Sequence, residues 1–358
     1  MSIETKNARR SGFTRRRFLT KSAAVSLGLA APAIWTTRSW ADETLIYIGY
    51  GGSTQDVINK VFIDSFIKET GTKIISSPGA DLAKLRAQVQ TGNIEWDLLN
   101  LIGPQASAAG TDGLLEEIDY SIVHKHGPVE RGQSKFFNTY YFSRGGIGFN
   151  PEKFPAGKHP TGWAEFWNVE RFPGRRGLRS RPEDNLEMAL IADGVPAREV
   201  YPIDVERAFA SLDKIKPSVA HWIAETPQTV SLLQNNEVDF VFTYSSRIEA
   251  ARKQGSSVDF AYGPNFLTPG THVIPKGTKK REAAMRLMGH FLRPDLQAEF
   301  CNQTGSTPIN PEAISLMTEE VRANQPKFDD PEVMFVDVDW WAKNYAEINR
   351  RFLEWRLT

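Results

Sequence analysis

Residues able to do covalent chemistry are scattered through this 358-residue chain without a catalytic pattern. Six histidines, His124, His126, His159, His221, His272 and His290, form no H-E-x-x-H metal spacing. There is no G-x-S-x-G turn, and the single cysteine, Cys301, has no histidine partner with motif support and suits a small core role. Adjacent Tyr140 and Tyr141 could offer phenolates to ferric iron, although consecutive aromatics entering a strand ordinarily divide between core and surface. The strongest chemical feature is Gly49-Tyr50-Gly51-Gly52-Ser53, between an apolar strand and a helix. A dinucleotide site would want a third glycine where Thr54 stands and an acid after the second strand, where the chain reads Ile75-Ser76-Ser77-Pro78. What survives is general: N–H groups of Gly51, Gly52 and Ser53 at a positive helix end, open to a ligand's acceptor atoms. A plain tight turn is the other reading of the same residues.

The elements around that turn alternate strand and helix. Leu45-Ile46-Tyr47-Ile48 reads as a buried strand. The next helix starts at Ser53, with Asp56 completing a capping-box pattern, and carries Val57, Ile58, Val61, Phe62 and Phe66 inward until Gly71. A strand over 73–76, a helix from Asp81 to Gly92 and a strand over 96–102 follow. This is the rhythm of an open parallel sheet, whose ligands collect beyond the carboxyl ends of the strands, at 50–53 and 100–104. Further on, Asp204 opens a strongly amphipathic helix stopped by Pro217, residues 238–243 form a buried strand, and Pro294 opens another helix. The last helix spaces Trp341, Tyr345, Ile348, Phe352 and Trp355 as a packing stripe.

Two stretches read as crossings between lobes. Gly145-Gly146-Ile147-Gly148-Phe149-Asn150 is an apolar, glycine-spaced run closed by Pro151, and 258–264 alternates apolar and polar residues before Gly263-Pro264. Two crossings enclosing an α/β insertion would make a two-lobed body with a cleft; two ordinary strands ending in turns would look the same.

The first 41 residues are an address. Arg15-Arg16-Arg17-Phe18-Leu19 precedes a short apolar run too brief to span a bilayer, and Ser39-Trp40-Ala41 supplies a cleavage site, with Ala31-Pro32-Ala33 competing. The pattern predicts a twin-arginine signal peptide and a periplasmic destination. That segment holds eight Lys/Arg and one Glu, so the remaining 317 residues carry 35 basic and 42 acidic side chains, net about −7. Such a charge disfavours nucleic acid as a partner.

The segment 45–75, the Asp97 strand, the Gly145–Asn150 crossing and "RPDLQAEFCNQTGSTPINPEA" (Arg293 to Ala313) together resemble bacterial extracellular solute-binding proteins of ABC importers, nearest the spermidine/putrescine-binding branch. "LEMALIADGV" and "DVERAFASLDKIKP" resemble helices of that branch's second lobe. The resemblance implies an α/β, type II periplasmic-binding-protein fold of two lobes, each a mainly parallel sheet flanked by helices, joined by two hinge strands. Lobe 1 would be 42–145 and 264–358, with the C-terminal helices free to cross over, and lobe 2 would be 146–263. It implies no catalysis and no cofactor or metal. It also implies a monomer that closes on a small-molecule solute and delivers it to an inner-membrane ABC permease. The implied ligand residues are Tyr50, Gly51, Gly52, Ser53 and Asn100 from the first lobe, and Ser143 and Arg144 at the crossing. Arg181 and Asp184 stand where polyamine binders place carboxylates. Tyr244, Ser245, Phe266 and Thr307 complete the set.

The family's default ligand is a polyamine, held by acids such as Asp184, Glu187 or Glu225 and by aromatic faces such as Tyr50 and Tyr244. Yet Arg144, Arg179, Arg181 and Arg247 fall in the same loops, and arginine is the usual fork for a carboxylate. At least two of the four read as solvated surface. An inward arginine would make the ligand an amino acid, an ω-amino acid or another carboxylate. From a different class, an exported cofactor-dependent enzyme would also use twin-arginine export, against which stand the broken dinucleotide turn and the histidine census.

Overall fold

The computed structural model describes residues 44–124 and 132–358. The expected signal peptide and its cleavage site lie outside the described residues, as does His126. Among the described residues ten strands occur in chain order: β1 Thr44–Gly49, β2 Lys73–Pro78, β3 Leu98–Ile102, β4 Phe137–Phe149, β5 Arg176–Arg179, β6 Val219–Ile223, β7 Phe240–Tyr244, β8 Asp259–Val273, β9 Thr307–Pro308 and β10 Met334–Phe335. The order across the sheet is β2-β1-β3-β8-β4-β7-β5-β6, with β9 beside β4 and β10 beside β8. β1 lies parallel to β2 and β3, and β5 parallel to β6 and β7. The long strands β4 and β8 pair antiparallel and join these two parallel groups.

Each side has its own core. Around β1, Leu45 and Tyr47 face one apolar cluster while Ile48 faces another, the two-sided burial that parallel strands demand. Phe62 stacks on Phe291 at 4.3 Å, and Tyr140 on His272 at 4.1 Å. Burial pulls the His272 imidazole down to about 3, so the ring is neutral. Beyond the crossing, Trp163, Phe166, Phe209, Phe240 and Phe242 build a separate core, and the C-terminal helix Val338–Leu357 lays Trp341, Ile348 and Phe352 onto it.

The structure departs from the sequence reading at the second crossing and at the first helix cap. The crossing at 258–264, expected to end at Gly263-Pro264, is the first part of one longer strand, β8, which runs through both residues to Val273. Pairing jumps from Ile147↔Ala261 to Gly145↔Phe266, so 262–265 bulge out where no ladder hydrogen bond is required of the proline. Opposite the bulge, a Cβ on Gly146 would come within 2.4 Å of the Phe260 ring and 2.6 Å of the Ala261 carbonyl oxygen, so the strands close only over glycine. The Ser53 capping box does not form either. Gly51, at φ 73°, is the N-cap, and no side chain caps the helix.

Glu187, a sequence candidate for holding an ammonium group, lies in the second core. It accepts from Trp341 Nε1 at 2.7 Å and Tyr201 Oη at 2.5 Å. Burial raises its pKa to about 8, against the pull of the Tyr201 hydrogen bond. The unfolded chain would ionise this group near 4.5, so the fold loses stability as pH climbs from about 4.5 to about 8. Glu187→Gln retains an acceptor oxygen for both donors. Its melting temperature should fall less than that of the wild type between about pH 5 and pH 8, as thermal denaturation at a series of pH values would show.

Candidate ligand-binding site

The floor of the cleft is set by strand alternation. Tyr141 and Ser143 project from one face of β4, and their register partners Gly270 and Thr268 from the same face of β8. Adjacent strand residues point to opposite faces, which sends Arg144 away from this floor. Its guanidinium stacks over the Tyr262 ring at 4.2 Å and borders a separate depression with Glu249 and Asn302.

One wall comes from the helix that opens at Gly52. Gly51, Thr54, Gln55 and Ile58 follow helical spacing and line a chamber of about 60 Å³, joined by Tyr50, Asn100 and Ile102 from the ends of β1 and β3. Ser53 falls off that face, into a surface groove with Asp56 and Pro227. Tyr50 Oη accepts from the Ile102 N–H at 2.9 Å, fixing the ring across the strand ends. Asn100 donates to Tyr140 Oη at 2.9 Å and leaves its own carbonyl oxygen buried without a hydrogen bond. Thr268 Oγ1 on the floor is likewise unsatisfied.

The opposite wall holds Arg181, Thr226, Tyr244, Ser246 and Arg247. Arg181 Nη2 donates to Asp184 Oδ2 at 2.7 Å and to Tyr244 Oη at 3.0 Å, and Tyr244 Oη donates to the same carboxylate oxygen at 3.1 Å. Burial works against the Arg181 charge, but Asp184, Tyr244 and Glu183 outweigh it and hold the pKa well above the ordinary value. Asp184 therefore stands behind Arg181 as its counter-ion instead of lining the chamber. It does so from a backbone φ of 74°, a strained conformation for a residue with a side chain.

The two walls touch. Arg247 Nη1 and Nη2 each donate to the Gly51 carbonyl at 3.3 Å, and Thr54 Oγ1 meets Ser246 Oγ at 3.4 Å. A Cβ on Gly52 would lie 2.6 Å from Arg247 Nη1, and its φ is 68°, so this contact needs glycine twice over.

Of the sequence candidates, Tyr50, Gly51, Asn100, Ser143, Arg181 and Tyr244 come together here, with Gly52 at the rim. Ser245 is buried and donates to the Gly305 carbonyl at 3.2 Å, Phe266 is sealed in the second core, and Thr307 is buried on β9 opposite Phe142. None of these three lines the chamber. The expectation that at least two of the four arginines are solvated also fails: Arg144, Arg179 and Arg247 are buried, and the Arg181 side chain is 18% exposed. Thr54, Gln55, Thr226, Ser246 and Thr268 join the chamber wall without any motif marking them, and Tyr141, weighed in the sequence only as an iron phenolate, lines its floor. A polar residue on an otherwise inward-facing helix stripe, as at Thr54 and Gln55, was the available signal.

Residues 62–329 match the family model described as bacterial extracellular solute-binding protein. The chain belongs to that family. It is 28% identical over 343 residues to a gamma-aminobutyric acid-binding protein of Pseudomonas aeruginosa, covering 92% of this chain and 94% of that one. To the spermidine/putrescine-binding periplasmic protein of Escherichia coli K12 it is 23% identical, covering 89% and 91%. Among solved structures, a GABA receptor superposes with a TM-score of 0.78 at 30% identity, covering 88% of this chain and 98% of that one. The protein AgtB from A. tumefaciens R10, in complex with agropinic acid, does so at 0.81 and 29%, covering 88% and 99%. The fold is that of type II periplasmic binding proteins, and the protein is a substrate-binding component of an ABC transporter, not an enzyme.

Tyr244→Phe keeps the ring and removes the hydroxyl that links Arg181 to Asp184. It should lower stability by about 1–2 kcal/mol without unfolding the second core, read by denaturant titration with tryptophan fluorescence.

Proposed function

We propose that this solute receptor captures a small carboxylate, with an ω-amino acid as its simplest form. The observation that carries this is the composition of the chamber wall: two arginines, Arg181 and Arg247, and no aspartate or glutamate. A polyamine site must replace water around each ammonium with carboxylate oxygens. Here Arg181 stands where the resemblance to polyamine binders expects an acid, and Asp184 is occupied in balancing it. The unsatisfied Asn100 and Thr268 oxygens are neutral acceptors suited to an amine at the solute's other end. The gamma-aminobutyric acid-binding relative and the structure holding agropinic acid agree in ligand class.

In this reading the lobes, 42–145 with 264–358 and 146–263, turn about β4 and β8. The solute binds one wall, and only the closed form adds the contacts of the other. Micromolar affinity corresponds to about 8 kcal/mol, ample to carry a modestly unfavourable closure. Twin-arginine export would bring the protein to the periplasm, where as a monomer it would hand its solute to the membrane permease.

The test is a thermal-shift screen of mature protein, unfolded and refolded to strip carried-over solute. 4-Aminobutyrate, 5-aminovalerate, short monocarboxylates, putrescine and spermidine would be compared. A carboxylate should raise the melting temperature, and Arg181→Gln should weaken its binding at least tenfold by calorimetry. Stabilisation by the diamines alone would overturn the reading.

A further inference from the structure

Outside the chamber the cleft widens into a vestibule of about 500 Å³, and the two spaces share Tyr50, Arg181 and Thr226. A solute longer than the chamber must pass these three residues. The vestibule wall there contains Arg179, which is only 3% exposed. Its Nη2 donates to the Ala224 carbonyl at 2.9 Å, while Nε and Nη1 are buried without hydrogen bonds.

Burial, aided by the Arg181 charge and opposed by Tyr244, Asp184 and Glu225, lowers the Arg179 pKa to about 10, so the group stays charged at neutral pH. A buried guanidinium with two idle donors beside a second arginine is costly unless an anion completes it. Among the described residues no carboxylate pairs with it by contact, and Asp184, which acts on it from farther off, is paired with Arg181. Both carboxylate oxygens of nearby Glu183 are buried without a hydrogen bond. Asp81 and Glu225, also on the vestibule wall, are exposed, where water screens them, and Asp81 caps its own helix through the Lys84 N–H at 2.7 Å.

Resting on the carboxylate reading of the chamber, we propose that Arg179 is a second anion subsite and that the solute is an elongated acid with two acidic groups. One carboxylate sits at Arg181 and Arg247, and the other reaches Arg179 in the vestibule. Gln105, Tyr345 and Asn349 offer polar contacts to the stretch between. Arg179 thus sets specificity by ligand length: a solute that ends inside the chamber leaves its donors idle.

The experiment is calorimetric titration of ligand-stripped mature protein with α,ω-dicarboxylates from succinate to suberate, each against the monocarboxylate of equal chain length. One of the longer diacids should bind at least tenfold more tightly than its monoacid. Arg179→Gln should bring that ratio toward one. Ala83→Trp, at an exposed position on the vestibule wall away from the buried cluster, should cut the ratio by obstruction and guards against a folding defect in the first variant. If a monocarboxylate or 4-aminobutyrate binds, depends on Arg181, and no diacid exceeds it, the second subsite is refuted while the carboxylate reading stands. A diacid preference that survives both variants also refutes it. Failure of every carboxylate to bind refutes both.

Discussion

The antiparallel pairing of β4 with β8 is the constraint on which both halves of the molecule depend. These strands are the partners through which the parallel group β1-β2-β3 and the parallel group β5-β6-β7 meet in one sheet. Their side-chain alternation decides what faces the cleft: Tyr141, Ser143, Thr268 and Gly270 on the floor, Arg144 on the far side. The bulge at 262–265 and the bare Gly146 opposite it localise irregularity to the middle of the ladder. The parallel groups on either side of that irregularity pack against apolar cores of their own.

Charge is arranged on that frame in layers. Arg181 reaches the chamber with Asp184 and Tyr244 behind it, so its position and charge are fixed before any solute arrives. Such preorganisation reduces the ordering cost of binding. Arg247 spans the cleft to a backbone carbonyl, a neutral partner, with Asp56 on the groove beside it. Arg179 is buried at the end of β5, two residues before Arg181. The cleft therefore gathers positive charge in a stretch, 42–358, that carries 35 basic and 42 acidic side chains.

Much of the frame was legible from residue order alone. Glycine-bounded alternation of strand and helix gave β1 to β3 with their helices. Asp81 and Asp204 do cap their helices, accepting from the Lys84 and Arg207 N–H groups. The aromatic stripe from Trp341 to Trp355 packs largely as its spacing implied, although Tyr345 borders the vestibule. Where the reading slipped, the cause was local rules applied without partners. Gly263-Pro264 looked like a strand end because proline cannot donate to a ladder, but a bulge removes that requirement. Ser53 looked like a cap because of its spacing to Asp56, but Gly51 already turns the chain with a positive φ.

The sequence by itself determined the α/β alternation, the lack of a recognisable catalytic motif and the supply of arginines to the loops. These follow from periodicity, glycine and proline placement and residue chemistry, which are properties of neighbours along the chain. Only the tertiary structure decided which arginines line the chamber, that Asp184 pairs with Arg181 behind it, that Glu187 is buried against Trp341 and Tyr201, and that Ser245, Phe266 and Thr307 lie off the chamber wall. Those outcomes depend on which face of an element meets which neighbour across more than a hundred residues of chain. A one-residue shift along a strand reverses the face, and no local pattern records it.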